Sequence, residues 1–176
     1  MSTRWDRAIP HPEPARTVKT RRPTRALLAL LLVVVVGTAA CQPTPQTRSG
    51  TAGETAAAAA RQQLGQPYVY GGESRAEGGF DCSGLTSYAW KQAGVSLPRR
   101  SSDQYRFTQR VSRSQLQPGD LVFYSSGGRY GTVSHVAIYV GNSRMVQAQK
   151  AGVPVNEQNV DTWWSSNRVG YGRVPS

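Results

Sequence analysis

The sequence is short of cysteine, histidine and acid. Its 176 residues hold two cysteines, Cys41 and Cys82, and two histidines, His11 and His135. A disulfide between those cysteines would tie a leader end to a helix start, so each is read as having its own task. No zinc-ligand set is present and the phosphate-cradling pattern GxxxxGK[ST] is missing. Neither a metal centre nor a nucleotide site is therefore expected, and no cofactor is called for. Asp and Glu number 10 against 21 Lys and Arg, a formal charge of +11. Residues 1–41 carry 7 basic and 2 acidic groups, leaving 14 and 8 in residues 42–176. A moderately basic body suits an anionic envelope polymer or a membrane surface, and without a basic helix nucleic acid is not the expected partner. No internal repeat is visible, and the length allows one domain with a real core.

Long hydrophobic runs are also missing. The longest, Ala26 to Val36 (ALLALLLVVVV), has eleven residues, short for a bilayer span but suited to the centre of an export signal. Gly37-Thr38-Ala39-Ala40 and then Cys41 follow, which resembles a bacterial lipoprotein signal whose cysteine becomes the lipid-bearing first residue. Thr38 stands where such signals usually have leucine, and an ordinary signal cut near Ala40 is the alternative. The expectation is an exported protein of the cell envelope, held at the membrane by lipid on Cys41. Residues 42–53 are mostly Pro, Thr, Gln, Ser and Gly without apolar period, so they are expected to form a flexible linker before a folded domain at 54–176.

The folded domain centres on Asp81 to Gly94, DCSGLTSYAWKQAG. Asp81 is a good N-cap, Leu85, Tyr88, Ala89 and Ala93 share a helix face, and Gly94 is a natural stop. Cys82 then falls in the first turn, where free N–H groups and the helix dipole favour a thiolate. Before it, Glu54–Leu64 is expected to be a helix; after it, Ser101 and Gln104 suggest a capping box opening a helix to about Arg110. Strands are expected at Leu121–Tyr124, Ser134–Val140, Arg144–Gln149 and Val169–Val174, with Trp163 and Trp164 expected in the core and a groove wall as the alternative. Helices first and strands later favour an α+β fold with a mostly antiparallel sheet.

A nucleophilic Cys82 needs a base, and His135 is the only histidine beyond the leader. On its strand, Val136, Ile138 and Val140 point one way, leaving His135 with Ala137 and Tyr139 on the other face. Gln147 has the parity of Met145 and Gln149, opposite Val146 and Ala148, so it can face the site.

Six segments in order, GQPYVYGG, FDCSGLTSYAW, LPRRSSDQ, QPGDLVFY, SHVAIYVGN and MVQA, resemble the NlpC-type cell-wall peptidases. The resemblance implies a papain-like domain, with the catalytic cysteine at the start of a helix packed on a central sheet. It also implies hydrolysis of amide bonds in peptidoglycan stem peptides, usually from the side-chain carboxyl of D-glutamate to the following diamino residue. Carried across, Cys82 is the nucleophile and His135 the base. Gln147 takes the third polar position, where histidine is commoner, and its amide oxygen is then expected to accept Nδ1–H of His135, leaving Nε2 towards Cys82. Tyr68 aligns with an oxyanion-site tyrosine, and Asp81 and Ser83 with positions that contact the stem peptide, although helix capping explains Asp81 equally well. The competing expectations are a wall-binding module with little activity, or the same chemistry on another amide.

Overall fold

The computed structural model describes residues 51–175. The expected leader, Cys41 and most of the linker lie outside them. Helix α1 (Ala52–Arg61) starts earlier than Glu54, because Thr51 and Glu54 close a reciprocal capping box, the Thr51 hydroxyl accepting from Glu54 N and the Glu54 carboxylate from Thr51 N. Residues 51–53, expected in the linker, therefore belong to this helix and its cap. After it come β1 (Glu73–Ser74) and β2 (Gly79–Phe80), a two-stranded ribbon within the glycine-rich loop, then α2 (Cys82–Gln92) and α3 (Ser101–Phe107).

The remaining strands are β3 (Gln109–Val111), β4 (Leu121–Tyr124), β5 (His135–Gly141), β6 (Arg144–Gln147), β7 (Asn156–Asn159) and β8 (Arg168–Arg173). They form one antiparallel sheet in the order β3-β8-β4-β5-β6-β7. β5 turns into β6 through Asn142 and Ser143, both at positive φ (51° and 56°), as a two-residue hairpin turn matching strand twist requires.

The sheet is covered on both faces. Val136, Ile138 and Val140 of β5, with Val146 and Ala148, pack against alanines of α1 and against Leu85, Ala89 and Trp90 of α2. Ala137 and Tyr139 face the opposite way with Val122, Tyr124 and Met145. The strand parity read from the sequence is thus observed, but the second face is also buried. α3 is shorter than expected, and its capping box is absent. Gln104 is fully buried instead, donating to the carbonyls of Ser83 and Pro98 and accepting from the Thr86 hydroxyl, so it ties α3 to α2. Among the described residues no helix is long and apolar enough to cross a membrane.

Candidate active site

Cys82 is the first residue of α2, and two contacts fix that position. The Asp81 carboxylate accepts from Gly84 N at 2.7 Å, capping the helix. Gly84 itself lies so close to the Gly72 carbonyl oxygen that any Cβ there would collide with it. The helix start is therefore pressed onto the glycine-rich loop, whose Gly72 oxygen also accepts from Asp81 N at 2.9 Å. The sulfur comes to the start of β5, where the Val136 backbone N–H favours its charged form. This brings the thiol to the residue next to His135.

The thiol is half-buried, and its acidity runs against the thiolate expected from the helix start. Burial pushes the Cys82 pKa up, and the Asp81 charge adds to this, while N–H groups of Val136 and Ser83 work the other way without prevailing. At neutral pH the side chain is a thiol.

His135 is buried on the Tyr124 side of the sheet, 5.5 Å from Trp163 between ring centroids. Burial depresses its pKa to about 4, against a weaker opposing pull from Gln147, so the ring is neutral at neutral pH. Gln147 Oε1 lies 2.7 Å from His135 Nε2. This corrects the expected ring orientation: Nε2 faces the amide and Nδ1 is left for the thiol. An amide oxygen only accepts, so Nε2 carries the proton and Nδ1 keeps a lone pair, the tautomer a general base needs. The ring hydrogen-bonds Gln147 and not Cys82 in this resting arrangement. The Gln147 Nε2 is buried without a hydrogen-bond partner among the described residues, a cost on the order of 1–3 kcal/mol.

Tyr68, Asp81, Cys82, Ser83, Arg99 and Ser134 are among the residues lining a cleft of about 470 Å³. The Tyr68 hydroxyl hydrogen-bonds none of the described residues, and burial, with Cys82 and Asp81 beside it, raises its pKa, which keeps it a donor. Asp81 and Ser83 are more committed. Arg99 donates to both Asp81 oxygens (3.0 and 2.6 Å) and to Ser83 Oγ at 2.9 Å, and pairs with Glu73. Asp81 Oδ2 also accepts from Gly71 N at 3.0 Å. Burial alone would raise the Asp81 pKa, but hydrogen bonds from Arg99 and Gly84 outweigh it and hold the carboxyl below its usual range.

Arg99 was not singled out from the sequence. It sits in LPRRSSDQ beside Arg100, and nothing in the run distinguishes the two. The other misplacement is Trp164, which is 37% exposed and lines a groove instead of entering the core. Trp163 does pack against the second face of the sheet.

The NlpC/P60 family profile matches residues 65–173, well over half of the sequence. The chain belongs to the NlpC/P60 family. It is 46% identical over 117 residues to the probable endopeptidase p60 of Listeria monocytogenes, covering 66% of this chain and 23% of that protein. It is 39% identical over 123 residues to the bifunctional muramidase/DL-endopeptidase CwlT of Bacillus subtilis, covering 69% and 36%. Among solved structures, an NlpC/P60 family protein from Bacillus cereus superposes with a TM-score of 0.65 at 33% identity, covering 70% of this chain and 40% of that one. The chain thus spans about a quarter to a third of the length of these two curated relatives. The fold is that of the papain-like NlpC/P60 domains.

Proposed function

We propose that this protein is a cysteine endopeptidase that hydrolyses amide bonds in peptidoglycan stem peptides, at the bond from the D-glutamate side-chain carboxyl to the diamino residue. The observation that carries it is the Cys82 side chain at the Val136 N–H, one residue along β5 from a His135 whose Nε2 is tied to Gln147. The names of the p60 and CwlT relatives support the endopeptidase class.

Chemically, His135 Nδ1 takes the thiol proton as Sγ attacks the carbonyl carbon. Neither ion is stable alone in this buried setting, so proton transfer and attack are coupled through their mutual attraction. The oxyanion is met by the Cys82 N–H, a first-turn donor without an intrahelical partner, and by the Tyr68 hydroxyl. Nδ1–H then protonates the departing amine, leaving a thioester on Cys82. Water, deprotonated by Nδ1, releases the acid and restores the thiol. Gln147 holds the ring throughout. The committed pairs of Asp81, Ser83 and Arg99 position the helix start and wall the cleft; their outward edges are where a stem peptide would lie.

We also infer export to the cell envelope and attachment to the membrane through lipid on Cys41; support for both is confined to the sequence of residues 26–41. Incubating the protein with purified peptidoglycan and weighing the fragments tests the activity. New amino termini at the diamino residue are expected, whereas an intact wall with bound protein would favour the wall-binding reading. Membrane fractionation of Cys41→Ser against wild type tests the anchor, with release of the variant expected.

A further inference from the structure

A second groove, of about 450 Å³, opens on the other side of His135. Ser134, His135, Gln149, Lys150, Trp163 and Trp164 line it, and Ser134 also lines the Cys82 cleft, so the two cavities adjoin at the residue before His135. The reaction order assigns their contents. The acyl half of the substrate stays on Cys82 and occupies the cleft, while the amine half takes its proton from His135 and departs on that ring's side.

The groove has a definite chemistry. Its lining holds one cation, Lys150, and no acid. Lys150 is exposed and forms no ion pair among the described residues, whereas Arg99, Arg113, Arg144 and Arg173 are each paired with carboxylates. The two indoles, with ring centroids 5.6 Å apart, give an apolar wall next to that charge. Trp164 is held in the left-handed region (φ 43°), a conformation unfavourable for a bulky residue, and it stacks over Tyr124. An aliphatic stem ending in a carboxylate fits such a wall and charge.

We propose that this groove is the leaving-group subsite and that Lys150 selects a diamino residue bearing a carboxylate on its side chain. The proposal rests on the hydrolase reading above and specifies its substrate. Three tetrapeptides test it, L-Ala–γ-D-Glu–X–D-Ala, where X is meso-diaminopimelate, its side-chain amide, or L-lysine. The first two differ by one charge at that position, and the terminal carboxylate is common to all. Wild type should show kcat/KM about 5-fold higher for the diaminopimelate peptide than for its amide, the scale of an exposed ion pair. Lys150→Met should abolish that ratio and Lys150→Glu invert it, with unfolding midpoints unchanged because the side chain is exposed. Equal cleavage of all three by wild type, or a ratio surviving in Lys150→Met, overturns the subsite while leaving the hydrolase intact. Cleavage of none by folded protein overturns the hydrolase reading, and this one with it.

Discussion

On the Cys82 side of the site, Asp81, Ser83, Arg99 and Glu73 satisfy one another, and two backbone N–H groups complete the Asp81 shell. On the His135 side, two indoles and an amide surround a lysine with no ion pair among the described residues. The first arrangement is closed and fixes where the sulfur stands. The second is left open for something to enter. Polar residues near a reacting group are thus of two kinds, and which kind a residue is depends on whether its hydrogen bonds are already made.

The largest effect should come from the sulfur itself. Cys82→Ala is expected to remove all measurable hydrolysis while leaving cooperative unfolding intact; activity loss accompanied by loss of that transition would make Cys82 a packing residue. Alkylation of wild-type Cys82 by iodoacetamide should keep accelerating past the ordinary thiol range of about 8.5, since burial raises its pKa. A rate already flat at neutral pH would restore the preformed thiolate.

Next comes the tie between Gln147 and the ring. Gln147→Ala should lower kcat by about 10–100-fold, as loss of an orienting partner does. Gln147→His should stay active, and Gln147→Glu should raise the ring's pKa and move the acid limb of the rate profile upwards. Full activity in Gln147→Ala would mean the ring needs no orienter.

A smaller effect concerns the closed side. Arg99→Met leaves Asp81 charged with two of its five hydrogen bonds gone, and should cost about 2 kcal/mol of stability, discounted from a fully buried pair because Arg99 is over a third exposed. The paired change Asp81→Asn with Arg99→Met should lose less than the separate losses added together; strict additivity in denaturant melts would show that the two do not interact.

The remaining test uses pH. His135 is depressed to about 4, so between roughly 6.5 and 4 the unfolded chain takes up a proton that the folded one refuses. Stability present above that window should therefore fall as pH drops through it, by about 3 kcal/mol at most. His135→Gln should flatten this stretch of the profile, and an unchanged slope in the variant would place its cause elsewhere.

Much of this was legible from residue order. Apolar runs revealed β4 and β5, the Asp81 cap revealed α2, and period-two alternation put His135 and Gln147 on one face. What stayed hidden depends on distances. Parity cannot say which ring nitrogen meets the amide, and a helix start cannot say whether dipole or burial wins at Cys82. Gln104 fits a capping pattern locally, but its hydrogen bonds go to a helix that the sequence places earlier. β3 and β7 escaped because Gln109-Arg110 and Asn156-Glu157-Gln158-Asn159 carry no apolar alternation; both are edge strands, where one side needs no packing.

Those polar edges bear on how copies of the protein behave together. A sheet ends in open rows of N–H and C=O groups that can recruit a neighbour's strand, and here the rims carry mostly amides and charge, Val111 being their one β-branched residue. Such rims favour hydration over the recruitment of a neighbour's strand. Changing Asn156 and Gln158 together to valine would convert one rim into an adhesive surface. Light scattering would then rise with concentration in the variant, with little change in its folded state.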